Sequence, residues 1–79
     1  KRTNEQWQKA FAKRLKAIIE EKGYTSAYEF WLQECGEDVS RSNLDNILNG
    51  RVDPKISTLR KLANGLGMTL QDFLDSPDL

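Results

Sequence analysis

The sequence predicts an all-α fold: a compact bundle of five short helices, with no strand. Apolar residues recur three or four positions apart, each such stretch begins at a residue that can cap a helix, and most stretches end at a glycine. With 79 residues the chain has room for one small domain. We therefore expect a single domain over residues 1–79, with helices at roughly 4–22, 26–35, 41–49, 55–65 and 70–75.

The first helix is predicted from a capping box and one apolar stripe. Thr3 and Gln6 stand three positions apart, so a hydroxyl and an amide can each satisfy a free backbone N–H. The stripe at helical period consists of Trp7, Phe11, Leu15, Ile18 and Ile19. Gly23 is the expected end, because a C-terminal cap needs the left-handed conformation that glycine accepts.

The second and third helices each begin at a serine. Ser26 with Glu29 forms a second capping box, and Gly36 is the natural end of that helix. Its apolar face consists of Ala27, Phe30, Trp31 and Cys35. Ser40 caps the third helix, which closes at Asn49 and Gly50. The core-facing residues of the third helix are Leu44, Ile47 and Leu48.

The last two helices are predicted from the same kinds of signal, a capping residue followed by apolar residues at helical spacing. Asp53 and Pro54 read as the cap and first turn of the fourth helix, because proline at that position loses no hydrogen bond. Its buried side consists of Ile56, Leu59, Leu62, Ala63 and Leu66. Thr69 with Asp72 caps the fifth helix. Its packing residues are Leu70, Phe73 and Leu74.

The residue inventory excludes several classes of protein. The chain has one cysteine and no histidine, so it lacks a disulfide framework, the usual zinc-ligand sets and the base of a Ser-His-Asp or Cys-His nucleophile. We therefore expect no enzyme activity, no metal and no cofactor. No apolar run approaches the ~20 residues that span a bilayer. The lone thiol and the absence of a recognisable secretory signal favour a cytoplasmic location.

The charges cancel in sum but are segregated along the chain. Twelve Lys and Arg residues balance twelve Asp and Glu residues. Residues 1–22 and 39–63 are mainly basic, whereas residues 23–38 and 64–79 carry acidic charges only. The basic run Lys9, Lys13, Arg14 and Lys16 is typical of a solvated helix face, and one end of it could instead contact a nucleic-acid backbone. A locally basic face is thus compatible with a neutral molecule.

The third helix has an outward side suited to reading bases. Arg41, Ser42, Asn46 and Asn49 lie toward one side at helical spacing. Arginine can offer two donors to guanine, and asparagine can both donate to and accept from adenine in the major groove. The competing interpretation is that serine and asparagine simply form a solvated face, with Asn49 as a helix end.

From Leu15 to Leu74 the chain resembles the lambda repressor/Cro-type helix-turn-helix family, also called the Xre family. Three stretches carry the match. The first consists of Leu15 and residues 22–25, and the second of residues 39–44, Ile47, Asn49 and Gly50. The third consists of Pro54, Leu59, Leu62, Ala63, residues 66–70, Phe73 and Leu74. The resemblance implies a sequence-specific regulator of bacterial or phage type that binds double-stranded DNA as a homodimer through helix 3. By position it implies that the base contacts are Arg41, Ser42 and Asn46. The implied phosphate contacts are Thr25, Ser26, Asn49, Arg51 and Lys55.

Three features depart from the family pattern. The stretch from the cap of helix 2 to the cap of helix 3 is longer than in the family by about one helical turn of residues. The added residues could form a surface for a protein partner from Trp31, Leu32 and Gln33. The residues Glu34, Glu37 and Asp38 make this stretch acidic. Ile19 and Leu48 stand where many members have an Arg–Glu pair, so we predict that the two side chains touch in the core.

A second function therefore stands beside DNA binding. The neutral charge, the acidic block and the lengthened helix 2 region are also compatible with a protein-interaction module on the same fold. Such a module would be an antitoxin-like partner-binding protein with weak or no DNA binding, and it would hold its partner through the lengthened region.

Overall fold

The computed structural model describes residues 3–36 and 38–75, and over these residues the chain is helical with no strand. The helices are α1 (Asn4–Glu21), α2 (Ala27–Phe30, continued as a π turn over Trp31–Cys35), α3 (Arg41–Leu48), α4 (Ile56–Gly65) and α5 (Leu70–Leu74). The predicted all-α fold with five helices is confirmed. The acidic residue Glu37 lies outside the described residues.

Four helices begin at the hydroxyl residue that the sequence predicts. The side-chain oxygens of Thr3, Ser26, Ser40 and Thr69 each accept a hydrogen bond from the backbone N–H three residues on, at 3.0–3.2 Å. The Thr3 box is complete, because the Gln6 amide oxygen accepts from the Thr3 N–H at 3.0 Å. These caps satisfy backbone groups that would otherwise lack partners at the helix starts.

The start of α4 corrects one prediction. Asp53 and Pro54 precede the helix, which begins at Ile56 after Lys55 and has no side-chain cap. The Asp53 carboxylate is engaged elsewhere: it accepts from the Gln8 amide at 2.8 Å and from the Asn4 amide at 2.9 Å. These hydrogen bonds hold the pKa of Asp53 below its usual value. The carboxylate therefore joins the loop before α4 to α1 rather than capping its own helix.

The second helix ends in a π turn that the sequence pattern did not indicate. The Gly36 N–H donates to the Trp31 carbonyl at 2.7 Å, which is the five-residue spacing of a π turn. Gly36 then ends the segment with a φ of 49°, as predicted for a glycine stop. Phe30 and Cys35 are five residues apart and both buried, because the wider turn places them on one side. The π turn thus holds one residue more between Trp31 and Gly36 than an α-helical turn would.

The core lies where the five helices meet and is apolar throughout. The largest fully buried side chains are Phe11, Leu15, Phe30, Leu44, Ile47, Leu62 and Phe73. Ile19 and Leu48 are 4% and 6% exposed and belong to the same cluster. Burial of Leu48 fixes the register of α3, so its polar side must face outward. Direct contact between Ile19 and Leu48 stays a prediction.

The Cys35 thiol is expected to react very slowly in the native protein. Cys35 is buried, and this burial raises the pKa of the thiol to about 11. The negative charges of Glu34 and Asp38 make a smaller contribution in the same direction. Because the thiolate is the reactive form, labelling with a disulfide reagent at neutral pH should be about a hundredfold slower, or more, than for the urea-unfolded chain. Equal rates for native and unfolded protein would place Cys35 at the surface.

Candidate nucleic-acid interface

Helix α3 presents one polar side outward from the bundle. Arg41, Ser42, Asp45 and Asn49 are exposed, and Asn46 is half-buried. On the opposite side Leu44, Ile47 and Leu48 are buried. The two sets alternate at the spacing of an α-helix, so the exposed groups form one surface. The candidate base contacts Arg41, Ser42 and Asn46 all belong to α3 and lie within two turns.

Arg41 is held by aromatic residues of the second helix. Its guanidinium carbon lies 4.4 Å from the centroid of the Tyr28 ring, and the Tyr28 ring stacks on Trp31 at 6.0 Å. The Trp31 indole N–H donates to the Val39 carbonyl at 2.6 Å, just before α3 begins. Sequence reasoning missed Tyr28, because no local signal relates residues on two different helices.

The start of α2 brings together a hydroxyl pair and a carboxylate. The Glu29 carboxylate accepts from the Thr25 N–H at 3.3 Å and from the Thr25 hydroxyl. These hydrogen bonds hold the pKa of the Glu29 carboxyl below its usual value: the Thr25 hydroxyl has the largest effect, followed by the Thr25 N–H, and the Gln33 side-chain amide adds a smaller one. Glu29 therefore reaches Thr25 rather than closing the predicted box on Ser26. The Thr25 hydroxyl already donates its proton to the Glu29 carboxylate, so a phosphate approaching Thr25 would be repelled by the negative charge of that carboxylate.

The end of α3 and the start of α4 supply the remaining predicted residues. Asn49 is the helix end, since its side-chain amide donates to the Asp45 carbonyl at 2.8 Å. Arg51 and Lys55 are exposed. Helix α4 begins after Lys55, and no side chain caps its start. The backbone N–H groups of its first turn therefore receive no side-chain acceptor from the N-cap residue. Such a helix start attracts anions.

Lys16 of α1 lies between the two groups of predicted phosphate contacts. It lines one surface depression together with Thr25 and Ser26, and a second one together with Leu48 and Asn49. Lys9 and Lys13 also line the second depression. Three lysines of the basic run therefore lie near the end of α3, and one of them, Lys16, also lies near the start of α2. This position supports the interpretation that one end of the run contacts a backbone.

The described part of the chain has neither a metal-binding cluster nor a membrane-spanning helix. No group of three or more cysteine and carboxylate residues there is arranged to hold a metal ion. None of the helices in residues 3–36 and 38–75 combines the length and apolar character that crossing a bilayer requires.

Comparison with known proteins gives one match. A family model described as helix-turn-helix matches residues 33–73, which is just over half of the chain. The matched region spans the end of the second helix, all of α3 and α4 and most of α5. No curated protein and no solved structure gave a match.

Proposed function

Because the chain belongs to the helix-turn-helix family of the lambda repressor (Xre) type, we propose that it is a sequence-specific regulator of transcription that binds double-stranded DNA. The observation that carries this proposal is the outward polar side of α3, whose apolar side is fully buried. A helix so exposed fits the major groove, which is ~12 Å wide. The mechanism requires no cofactor, and the protein acts in the cytoplasm, where its DNA is.

Three residues of α3 read the bases. Arg41 donates two hydrogen bonds to a guanine, and Asn46 donates to and accepts from an adenine, which is the pairing that these side chains favour. Ser42, exposed beside Arg41, contacts either base type. These contacts select the sequence.

The phosphate contacts surround α3 and set its position on the duplex. Arg51, Lys55 and the start of α4 bind the DNA backbone on one side of α3. The absence of a side-chain cap at the start of α4 supports this role, because uncapped N–H groups attract anions. Ser26 and Asn49 hold the other side, with Lys16 between them. Thr25 joins them only if its hydroxyl leaves Glu29. These contacts supply affinity without sequence choice.

The protein binds as a homodimer, as the family resemblance implies. Two copies place two α3 helices in successive major grooves, about one helical turn apart. Selection of binding sites from random duplexes tests both function and stoichiometry. A symmetric enriched motif is expected. Failure to bind any duplex at ~50 mM salt would refute the proposal, since a protein of this design has salt-sensitive background binding.

Three substitutions separate base reading from phosphate binding. Arg41→Ala is expected to weaken binding to the selected site by ~1–3 kcal/mol and to relax the choice at one base pair. Arg51→Ala and, separately, Lys55→Ala are each expected to weaken binding to all duplexes alike and to reduce the slope of log affinity against log salt by ~1. Fluorescence anisotropy on selected and scrambled duplexes over a salt series measures both. Equal loss on every duplex for Arg41→Ala would remove Arg41 from the base contacts.

A protein-binding function has one specific observation in its favour. Tyr28 and Leu32, on the second helix, are 46% and 53% exposed, which is high for large apolar side chains. They lie beside the acidic stretch, so a partner with a basic and apolar surface would fit there. Leu32→Asp separates the two functions: it would abolish partner binding and leave the affinity for DNA within about twofold if the surface only serves a protein.

A further inference from the structure

The side chain of Arg41 has two neighbours that compete for it. Asp45 stands four residues later on α3, at the spacing at which opposite charges pair on a helix. The guanidinium instead lies over the Tyr28 ring, 4.4 Å from its centroid. Within residues 3–36 and 38–75 the one ion pair closer than 4.0 Å joins Lys9 and Glu5, so Arg41 and Asp45 remain apart.

The ring contact leaves the hydrogen-bonding edge of Arg41 available. A carboxylate would occupy the N–H donors of a guanidinium, whereas an aromatic face attracts the cation without accepting them. No side-chain hydrogen bond of Arg41 occurs within the described residues. The guanidinium of the exposed Arg41 is therefore held over the ring while its N–H donors have no acceptor among the described residues.

The aromatic surface under Arg41 is itself anchored. Tyr28 stacks on Trp31, whose indole is fixed to the Val39 carbonyl ahead of α3. The stack therefore joins the second helix to the start of α3. A free arginine side chain loses rotamer entropy when it is immobilised on a base, and an arginine already held over a ring has lost part of that entropy before it binds.

We propose that Tyr28 is a positioning residue for sequence recognition, which holds the Arg41 guanidinium ready to bind a guanine in the major groove. The inference rests on the proposed function and deepens it, since it names the base and the residue on the second helix that prepares the contact. Tyr28 itself touches no base. It sets the selectivity of Arg41.

The first test uses the protein without DNA. In NMR spectra the Arg41 side-chain protons are expected to be shifted upfield by the Tyr28 ring, and the shift should disappear in Tyr28→Leu and persist in Tyr28→Phe. Arg41 protons at ordinary positions in the wild type would overturn the inference. Thermal unfolding of each variant checks that it is folded.

The second test uses the selected duplex with each guanine replaced in turn by 7-deazaguanine, which lacks the N7 acceptor. One replacement is expected to weaken wild-type binding, and Tyr28→Leu should shrink that penalty by about two- to fivefold, the range expected for a partly exposed cation–ring contact. Tyr28→Phe should restore the penalty, and Leu32→Ala, an exposed apolar control on the same helix, should leave it unchanged.

The outcomes separate the inference from the function it rests on. Specific binding with the same guanine penalty in wild type and Tyr28→Leu overturns the role of Tyr28 alone, even if the variant melts at a lower temperature. A selected site that is insensitive to 7-deazaguanine also overturns it. Absence of binding to any duplex overturns the proposed function and this inference together.

Discussion

Replacing Phe11 by alanine is expected to cost ~3–5 kcal/mol of unfolding free energy, the range for an aromatic side chain removed from a core. Phe11 is 1% exposed. Its ring stacks on Trp7 with 5.2 Å between centroids and meets Phe73 edge-on at 5.4 Å. The substitution thus removes the contact that joins α1 to α5. A domain of this size has only roughly 4–12 kcal/mol to lose, so the variant should be largely unfolded in mild denaturant.

Urea unfolding followed by circular dichroism measures this loss. Phe11→Leu is the matched control, because it keeps most of the volume and forfeits mainly the ring contacts, for a cost of about 1–2 kcal/mol. A loss below ~1 kcal/mol for Phe11→Ala would mean that the ring is not part of the core.

Gly50→Ala is expected to destabilise the domain by about 2–5 kcal/mol, and two effects contribute. The residue has a φ of +66°, which costs an L-residue roughly 1–2 kcal/mol. A Cβ at Gly50 would also lie 3.3 Å from the Cα and Cγ of Lys9. Because the Lys9 Cα belongs to the backbone of α1, the helix and the loop must separate by a few tenths of an ångström, which costs a further ~1–3 kcal/mol.

Gly67→Ala separates the two effects. Gly67 has nearly the same φ, +70°, but a Cβ there would have no atom within 4 Å. It should lose only the backbone contribution of roughly 1–2 kcal/mol. The difference between the two variants in the free energy of unfolding measures the close approach of the loop to α1. Equal losses would show that α1 yields to the added methyl group at no cost.

The parts of the fold that depend on neighbouring residues were predictable from the sequence. A cap such as Thr3 or Ser40 acts on a backbone N–H three residues away, so its whole cause lies within a short window. The register of α3 follows in the same way from the spacing of Leu44, Ile47 and Leu48.

The rest depends on partners that are distant in sequence. Asp53 is a residue type that often caps helices, but the two side-chain amides that donate hydrogen bonds to it stand 45 and 49 residues earlier in the chain. Tyr28 and Arg41 stand on different helices and meet only in the folded chain. The engagement of Thr25 by Glu29 depends on the choice between two nearby donors, which residue types alone do not decide.

The π turn links the length of one connection to the direction in which α3 points. A chain one residue shorter between Trp31 and Gly36 would close its turn with α-helical spacing, and whatever follows would rotate by about 100° around the helix axis. Burial of Val39 and Leu44 opposes that rotation. An insertion or deletion in this stretch would therefore turn the outward side chains of α3 in a new direction only where the packing of Val39 and Leu44 gave way, with every residue of α3 unchanged.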